Sequence, residues 1–174
     1  MIELRPAKFS DHTAIAKIHT ESWQKNYRNI LSDQFLDNKV EEERLAFWHR
    51  RLSSLMATQQ VTVASINDCI TGFSCLFIDY DPQYGTLLDN LHVRQDFQNN
   101  GVGKLLMKNC ARVILEKAKS RKMYLWVYEL NQNARKVYEH LGGNWLHTAR
   151  KRNVDGTGAN ACRYVWEDIA SFDY

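Results

Sequence analysis

Two glycines one residue apart, Gly101 and Gly103, stand in the stretch QNNGVG (98–103), where an apolar run changes to a helical pattern. A strand that leads through a glycine-rich turn into a helix is a site for an anion. The first helical N–H groups have no partner within the helix, and the helix dipole favours negative charge there. Glycine also lets the backbone approach phosphate oxygens, because it has no Cβ. The chemistry predicted at this turn is phosphate binding.

Two well-known phosphate loops do not fit these residues. A Walker A loop needs four residues between its glycines and then Lys-Ser/Thr, whereas Lys104 is followed by Leu105. A dinucleotide-binding fingerprint needs a third glycine at position 106, which is Leu106. The sequence therefore excludes both.

The remaining pattern, Gln-Asn-Asn-Gly-Val-Gly after a strand that ends Leu-His-Val, resembles the (Q/R)-x-x-G-x-G/A loop of the GNAT superfamily of acyl-CoA-dependent N-acetyltransferases. A second pattern, Asn131-x-x-Ala134-x-x-x-Tyr138 before Gly142-Gly143, is similar to that superfamily's second cofactor motif. The stretch IHTESWQKNY in the first helical region is also similar to that of many members. The resemblance covers nearly the whole chain, most specifically residues 87–143.

The resemblance implies an acetyl-CoA site with distinct parts. The strand backbone would pair with the pantetheine amides, and the loop N–H groups would hold the pyrophosphate. The Asn131 side chain would reach the pantetheine arm, and Tyr138 would stand near the thioester sulfur. The cofactor-binding residues expected on this basis are Leu91, His92, Val93, Gln98, Asn99, Asn100, Gly101, Val102, Gly103, Lys104, Asn131, Ala134 and Tyr138.

The implied reaction needs a neutral amine, a donor to the carbonyl oxygen and an acid for the leaving thiolate. Tyr138 is the candidate catalytic acid, because a phenol with a pKa of ~10 can protonate a thiolate. The alternative is that Tyr138 only packs, since it lies on the apolar face of its helix. The resemblance implies a strand N–H near Val93 as the donor to the carbonyl oxygen.

The general base is less defined. The two positions where many relatives carry a glutamate hold Leu87 and Trp126. Asp89 shares the strand face of Leu87 by period-two alternation, so it is the first candidate for the catalytic base or amine anchor. Its alternative role is to hold the strand end. Tyr128 and His92 are the further candidates, with His92 expected on the face opposite Asp89, and removal of the proton by water alone stays open.

The acceptor pocket is expected between the helical region 20–55 and the strand end near Trp126. The candidate substrate residues are Trp23, Tyr27 and Trp126. Trp48 is a further candidate for an aromatic wall of the pocket, and Glu21 is a candidate charge partner of the amine. The alternative is that these aromatic residues form core between helices and sheet.

The order of elements predicted from periodicity is β-α-α-β-β-β-α-β-α-β-β. Strand–helix–strand between 85 and 129 predicts a right-handed crossover and a parallel pair, and the hairpins on either side predict antiparallel pairs. The expected fold class is α/β (α+β). It has a GNAT-like mixed, mostly antiparallel sheet of six to seven strands, about four flanking helices and a splayed parallel pair that holds the cofactor.

Several element ends can be predicted from single residues. Ser10 or Asp11 is expected to cap the first helix, and Asn67-Asp68 to turn the first hairpin. A helix is expected over about 102–118, with Val102, Leu106, Cys110 and Val113 on one face. Gly142 is expected to end the helix that follows Asn131. The final strands are predicted at 144–151 and 161–169.

Length and composition favour one domain over residues 1–174, in segments 1–84, 85–143 and 144–174. The chain has 44% hydrophobic and 25% charged residues and a net charge of +3. We expect no membrane span, no nucleic-acid partner and no metal site, because the matching patterns are missing. The basic cluster HTARKR (147–152) is expected to be a solvated face or, alternatively, to attract an anionic ligand. The four cysteines are expected to be buried free thiols of a cytoplasmic protein.

The function expected is transfer of an acetyl group from acetyl-CoA to a primary amine in a ternary complex. A small-molecule acceptor is favoured, because the chain has no peptide-recognition module. The alternatives are a protein or peptide N-acetyltransferase, a non-catalytic acyl-CoA-binding or sensing domain, and a nucleotide-binding protein of another fold. A homodimer is a family-level expectation.

Overall fold

The computed structural model describes residues 1–171, so the last three residues of the predicted C-terminal segment lie outside the described part. The described chain forms seven strands and five α-helices. The strands are β1 (Glu3–Pro6), β2 (Gln59–Ile66), β3 (Cys69–Asp81), β4 (Gly85–Val93), β5 (Met123–Tyr128), β6 (Asn144–Arg152) and β7 (Gly158–Trp166). The helices are α1 (His12–Asn26), α2 (Asp33–Asn38), α3 (Val40–Ser53), α4 (Val102–Lys117) and α5 (Gln132–His140). None of the helices among these residues is long and apolar enough to cross a membrane.

The strands form one mixed sheet in the order β1-β2-β3-β4-β5-β7-β6. Only the β4–β5 pair is parallel within the described chain. The predicted mixed, mostly antiparallel sheet is confirmed. The helices number five rather than about four, because the helical region predicted over 20–55 is interrupted after α1. Asn29 has a φ of 65° there, and a helix cannot continue through that conformation.

The two faces of the sheet are covered by different helices. We call the face under α1 and α3 the front face, where Ile15 and Trp48 pack on Phe73 of β3. The opposite, rear face carries α4 and α5, with Ile114 of α4 and Leu125 of β5 in one apolar cluster. Burial of these side chains from water on both faces drives the sheet and its helices together.

The periodicity of α4 is the clearest agreement between sequence and structure. The predicted apolar positions Val102, Leu106, Cys110 and Val113 are all buried. The helix begins at Val102 as expected and ends at Lys117. An apolar residue at every third or fourth position therefore fixes both its length and the side that packs on the sheet.

The parallel strands β4 and β5 are joined at one end only. Their register pairs are Thr86–Met123 and Leu87–Tyr124, and beyond these the two strands diverge. Gly85, with a φ of 78°, lies against the carbonyl of Lys122, and a Cβ there would stand 2.4 Å from that oxygen. The Thr86 N–H donates to the same oxygen at 3.0 Å. The expected splayed pair is confirmed, with its closed end at Gly85.

A β-bulge in β4 changes which side chains face the front. The register pairs on its two sides are Leu76–Leu88 and Cys75–Asn90. Asp89 is therefore one extra residue without a partner on β3, and the alternation of faces is shifted after it. The His92 ring consequently lies 5.4 Å from the Phe73 ring on the front face, the side on which Asp89 also lies. The expectation that His92 faces away from Asp89 is wrong for this reason.

Other local predictions have mixed outcomes. The first hairpin turns at Asn67 and Asp68, with φ values of 50° and 62°, as predicted. Asp11 occupies the N-cap position of α1 but makes no capping bond, because its carboxylate is held by Arg5 at 2.7 Å. The last strand, Gly158–Trp166, begins and ends three residues before the predicted strand.

The cysteines also differ from expectation in one case. Cys75, Cys110 and Cys162 are buried free thiols, whereas Cys69 is exposed at the start of β3. Arg94 Nη1 lies 3.0 Å from the Cys69 Sγ. The apolar pattern around Cys69 did not indicate this position, because the residue borders the turn of a hairpin.

Candidate active site

The glycine turn forms an open cradle at the start of α4. Gly101 is the N-cap residue, with a φ of 82°, and no side chain caps the helix. No atom lies within 4 Å of the position that a Cβ would take at Gly101. The helical bonds begin with Leu105, whose N–H donates to the Gly101 carbonyl at 2.9 Å. The N–H groups of the first turn therefore lack partners within the helix, as an anion site requires, and no described atom fills the Cβ position at Gly101.

The cradle is fastened to the end of β4. Gln98 Nε2 donates to the Val93 carbonyl at 3.2 Å, and a short 3₁₀ turn over Gln95–Phe97 connects the strand to the cradle. Asn99 has a φ of 64°, so a second residue of the turn is in the left-handed region. At Gly103 the nearest contact of a Cβ would be Val93 at an ordinary 3.6 Å. Packing within the protein therefore does not explain the glycine at position 103.

The peptides at the end of β4 alternate between β3 and the opening beside β5. The Arg94 N–H donates to Thr71 of β3 at 2.8 Å, so the His92 peptide also faces β3. The His92 carbonyl lies only 2.9 Å from the Cβ position at Gly72 of β3, which agrees with this direction. The peptides of Leu91 and Val93 therefore face the opening. His92 differs from the expectation that its backbone would pair with a ligand there.

The Asn131 and Ala134 positions are joined by a helix cap. Asn131 is the N-cap residue of α5, and its Oδ1 accepts the Ala134 N–H at 3.4 Å. An asparagine three residues before the capped N–H is the usual N-cap spacing. The predicted motif therefore has a structural role at the start of α5, and the capping bond uses only the amide oxygen of Asn131.

Tyr138 lies on the rear side of the sheet, on the inner face of α5. It packs against the rear-face cluster, and its ring lies edge-on to Trp166 with centroids 6.3 Å apart. Burial, with a smaller effect of Cys110, raises the pKa of Tyr138 to about 12. The phenol therefore keeps its proton at neutral pH.

Asp89 lies on the front side, just past the last register pair of β4 with β5. Arg51 of α3 holds its Oδ2 at 2.6 Å, and Asn90 Nδ2 donates to the same oxygen at 2.6 Å. The Asp89 side chain is 30% exposed. It is thus a carboxylate oriented by a neighbouring cation and still accessible to a polar group of a substrate.

Two neutral histidines stack beneath α1. His92 Nδ1 lies 2.8 Å from Ser22 Oγ, and its ring centroid is 4.5 Å from that of His19. Trp48 Nε1 donates to His19 Nδ1 at 2.9 Å, so His19 carries its proton on Nε2. Burial, followed by the charge of Arg44, lowers the pKa of His92 to about 4. His19 was missed from the sequence, although it shares the helical face of Ile15 and Ser22.

The aromatic residues of α1 connect to the end of β5. Tyr27 meets Tyr128 edge-on at 4.9 Å, and Trp23 lies 5.4 Å from Tyr27. The Tyr128 hydroxyl donates to Asn153 Oδ1 at 2.8 Å, and burial raises the pKa of that hydroxyl. Asn153 belongs to the turn between β6 and β7. Trp23 and Tyr27 are therefore brought to the open end of β5, as predicted.

Two other predicted substrate residues lie elsewhere. Trp48 is fully buried in the front-face core, so it cannot line a pocket. Glu21 is on another side of α1, in a groove shared with Cys69 and Arg94. The helical turn between positions 21 and 23 separates Glu21 from Trp23, which explains the error.

Trp126 lies on the front face of β5, opposite Arg163 of β7 in register. The Arg163 Cζ is 4.5 Å from the Trp126 ring, and the Lys151 Nζ of β6 is 3.8 Å from it. The His147 ring meets Trp126 edge-on at 5.5 Å. Lys151 belongs to the basic cluster 147–152 noted in the sequence, whereas Arg163 was not singled out, because the pairing of β5 with β7 is not visible in local patterns.

Metal binding has no support in residues 1–171, where no group of three or more His, Cys, Asp or Glu side chains could hold an ion. The groups of the described chain that could take part in a reaction are instead the anion cradle at Gly101, the protonated phenol of Tyr138 on the rear side and the carboxylate of Asp89 on the front side of the opening. Such a site suits transfer of a group from a phosphate-bearing donor.

The chain matches the acetyltransferase (GNAT) family over residues 14–143, which is most of its length, and it belongs to that family. It is accordingly an acyltransferase of the N-acetyltransferase type, with acetyl-CoA as its cosubstrate.

Relatives and solved structures agree with this membership. The chain is 26% identical over 131 residues to the uncharacterized N-acetyltransferase YuaI of Bacillus subtilis, covering 75% of this chain and 74% of that protein. It is 28% identical over 129 residues to thialysine N-epsilon-acetyltransferase of Bos taurus, covering 68% and 72%. The structure of YncA, a putative acetyltransferase of Salmonella typhimurium solved with acetyl-CoA, superposes with a TM-score of 0.68 at 18% identity, covering 96% and 94%.

Proposed function

We propose that the protein transfers an acetyl group from acetyl-CoA to a primary amine of a small molecule, by direct attack in a ternary complex. The observation that carries this proposal is the opening between β4 and β5. It joins the open cradle at Gly101, the Tyr138 phenol on the rear side and the Asp89 carboxylate on the front side. A donor held from the rear and an acceptor entering from the front would meet between the strands.

The residues around the opening fit the cosubstrate. The first-turn N–H groups at 102–104, together with residues 98–101, would hold the pyrophosphate, because the space at Gly101 is empty of protein atoms. The Leu91 peptide, which also faces the opening, would pair with a pantetheine amide as an added strand does, and the Val93 N–H is kept for the thioester carbonyl. The amide nitrogen of Asn131 is left for the pantetheine arm, since the helix cap uses the oxygen. When bound, acetyl-CoA supplies the thioester carbonyl that the amine attacks.

Tyr138 acts on the leaving sulfur. A phenol whose pKa is raised to about 12 stays protonated at the pH of the reaction. Because a thiol has a pKa of ~8.5, complete proton transfer from such a phenol is unfavourable. Its main contribution is therefore a hydrogen bond to the charge that develops on sulfur. The Val93 N–H, which faces the same opening, donates to the carbonyl oxygen.

Asp89 acts on the amine. An ammonium ion must lose its proton before attack, and a negative carboxylate at the front of the opening attracts and orients it. Arg51 fixes the direction of the carboxylate through one oxygen. We propose Asp89 as the amine anchor and as the first acceptor of the proton, which then passes to water at this partly exposed position.

A small-molecule acceptor is supported by the residues that crowd the end of β5, where the acceptor would enter. Tyr27, which follows α1, packs against Tyr128, and Tyr128 bonds to Asn153 of the β6–β7 turn, so these groups line the end of β5. The Asn153 Nδ2 donates to the Ile30 carbonyl at 3.1 Å, which holds that turn against the loop after α1. The Bos taurus relative is named for acetylation of thialysine, which is itself a small amine.

The test is thiol release from acetyl-CoA with a panel of polyamines, amino acids, aminoglycosides and peptide N-termini. We expect release with at least one small amine and a lower kcat/KM for every peptide. A higher kcat/KM for peptides would contradict the small-molecule acceptor. If no compound of the panel causes thiol release although calorimetry shows that acetyl-CoA binds, the proposed transfer itself is contradicted.

A further inference from the structure

Arg163 stands out among the charged residues of the front face because it forms no ion pair with any residue of the described range, 1–171. It lies on β7, and its Cζ is 4.3 Å from the Tyr84 ring, 4.5 Å from Trp126 and 5.5 Å from Tyr124. No residue in the described part of the chain accepts a hydrogen bond from it or forms an ion pair with it, and its Nε is fully buried without a partner.

Aromatic rings satisfy only part of what a guanidinium needs. Rings stabilise the charge through the face of the guanidinium plane, whereas the N–H groups point outward along its edge. A partly buried donor group without an acceptor is unfavourable, so such groups in proteins are usually paired. The surroundings of Arg163 therefore hold the guanidinium in one orientation and leave its donor edge for a ligand.

A second cation lies on the same surface. The Lys151 Nζ is 3.8 Å from the Trp126 ring, on the face opposite α4, and no described carboxylate pairs with it. Together Arg163 and Lys151 give the front face of β5, β7 and β6 two positive charges that form no ion pair within residues 1–171. This surface attracts an anionic group.

The cationic surface adjoins the proposed site of chemistry. Trp126 follows the last β4–β5 register pair by two residues on β5, as Asp89 follows it by two residues on β4. Tyr124 of that last pair contacts Arg163, and the charges of both Arg163 and Asp89 affect its hydroxyl. The carboxylates of Asp81 and Asp89 and the guanidinium of Arg163 thus all lie near one tyrosine at the front of the opening.

We propose that Arg163 binds a carboxylate of the acceptor, so that the acceptor is a small amino carboxylate whose amine is directed to Asp89. This inference rests on the proposed function. A carboxylate fits because it is planar and accepts two parallel N–H groups from the edge of a guanidinium whose faces contact rings. Lys151 adds charge that attracts the acceptor from solution.

The experiment compares amines that differ only in the carboxylate: lysine with cadaverine, and ornithine with putrescine. For the unaltered protein we expect kcat/KM about tenfold higher for the amino acid of each pair. Arg163→Gln should remove this preference through KM, while kcat/KM for the diamines stays within about threefold. The matched control is Arg121→Gln, an exposed arginine 3.8 Å from Asp168 and outside this surface, which should keep the preference.

Other results would overturn the inference without touching the proposed transfer. One such result is the same kcat/KM for both members of each pair with the unaltered protein. The other is an equal fall of kcat/KM for both members in Arg163→Gln. A higher kcat/KM for phosphoethanolamine than for either amino acid would show that Arg163 binds a phosphate of the acceptor rather than a carboxylate. If Arg163→Gln fails to fold, Lys151→Gln takes its place, with an expected loss of about threefold for the amino acids only.

A binding measurement decides the inference even if no amine in the panel is acetylated. Titration of N-acetyl-lysine and N-acetyl-cadaverine into the protein is followed by calorimetry in the presence of coenzyme A. We expect heat of binding only for the product that carries the carboxylate, and its loss in Arg163→Gln. Equal affinity for the two products would overturn the assignment of Arg163, and absence of turnover alone would overturn the transfer.

Discussion

In the proposed mechanism, Tyr138 and Asp89 act from opposite faces of the same opening. Tyr138 belongs to the rear-face cluster, and Asp89 is held by Arg51 on the front side. No hydrogen bond or ion pair joins the two side chains among the described residues, and each has its own neighbours. Each can therefore be changed separately, and the effects should fall on different kinetic constants.

Tyr138→Phe tests the hydrogen bond to the leaving sulfur. We expect kcat to fall about 100-fold, because the phenyl ring keeps the packing but removes the donor. The Kd for acetyl-CoA should change by less than about threefold. Thiol-release kinetics and calorimetry measure the two quantities. Tyr80→Phe is the control, since that tyrosine is exposed at the end of β3. An unchanged kcat in Tyr138→Phe would leave only a packing role.

Asp89→Asn tests the amine anchor. We expect KM for the amine to rise about tenfold at pH 7, because the neutral amide no longer attracts the ammonium group. Acetyl-CoA affinity should stay the same. Glu116→Gln is a matched control, because that glutamate is ion-paired with Arg112 at 2.7 Å on the outside of α4. A rise in the Kd for acetyl-CoA, with KM for the amine unaltered, would place Asp89 on the donor side instead.

Among the elements, those with a strong internal period could be predicted and those set by distant contacts could not. α4 begins where the glycine turn predicts, and its apolar face is the buried one. The bulge at Asp89 is invisible in the sequence, because one inserted residue leaves a strand with the same composition. Arg163 was missed since its neighbours, Tyr84 in the β3–β4 turn and Trp126 on β5, are distant from it in the chain.

Gly101→Ala tests the cradle at the start of α4. Both Gly101 and Gly156 have positive φ values, 82° and 85°, and open space where a Cβ would stand. Alanine at either should cost about 1 kcal/mol of unfolding free energy through backbone strain. Only Gly101→Ala should also weaken acetyl-CoA binding, by about tenfold, because its methyl group enters the phosphate space.

Thermal unfolding and calorimetric titration of the two variants separate these effects. Gly156→Ala, in the turn between β6 and β7, reports the strain alone. Equal acetyl-CoA affinity in the two variants would show that the cradle does not hold the pyrophosphate.

At the scale of the whole molecule, the fold class and family could be predicted, because two short motifs and their strand–helix context suffice. The acceptor side could not, since it is built by contacts between segments far apart in the chain. The Ser32 N–H donates to Asp155 Oδ2 at 2.7 Å, which joins the start of α2 to the β6–β7 turn. Contacts of this kind depend on the finished sheet order, in which β7 lies between β5 and β6.

The buried histidines make stability depend on pH. The pKa of His92 is about 4 in the folded protein, against ~6.5 when unfolded, so the unfolded chain binds more protons between these values. The unfolding free energy should therefore fall as pH drops from 6.5 towards 4, by an amount on the order of 2 kcal/mol. The pKa of His19 is lowered by burial as well, in the same direction.

Denaturant unfolding at intervals between pH 7 and pH 4 measures this loss. His92→Gln should make the dependence shallower, because it removes the titrating group. An identical pH dependence in His92→Gln and the unaltered protein would mean that His92 does not titrate in this range.

The closed end of the β4–β5 pair at Gly85 has a mechanical consequence for the whole enzyme. From Leu87 to Val93, β4 is paired with β3 but not with β5, and it extends roughly 20 Å, at about 3.3 Å per residue. A rotation of only about 5° of β4 and β3 together at the two register pairs would displace the Val93 end by roughly 2 Å over that length. We therefore expect the close approach of Gly85 to the Lys122 carbonyl to influence the width of the opening at its far end, so that residues remote from the reacting atoms affect the affinity for the acyl donor.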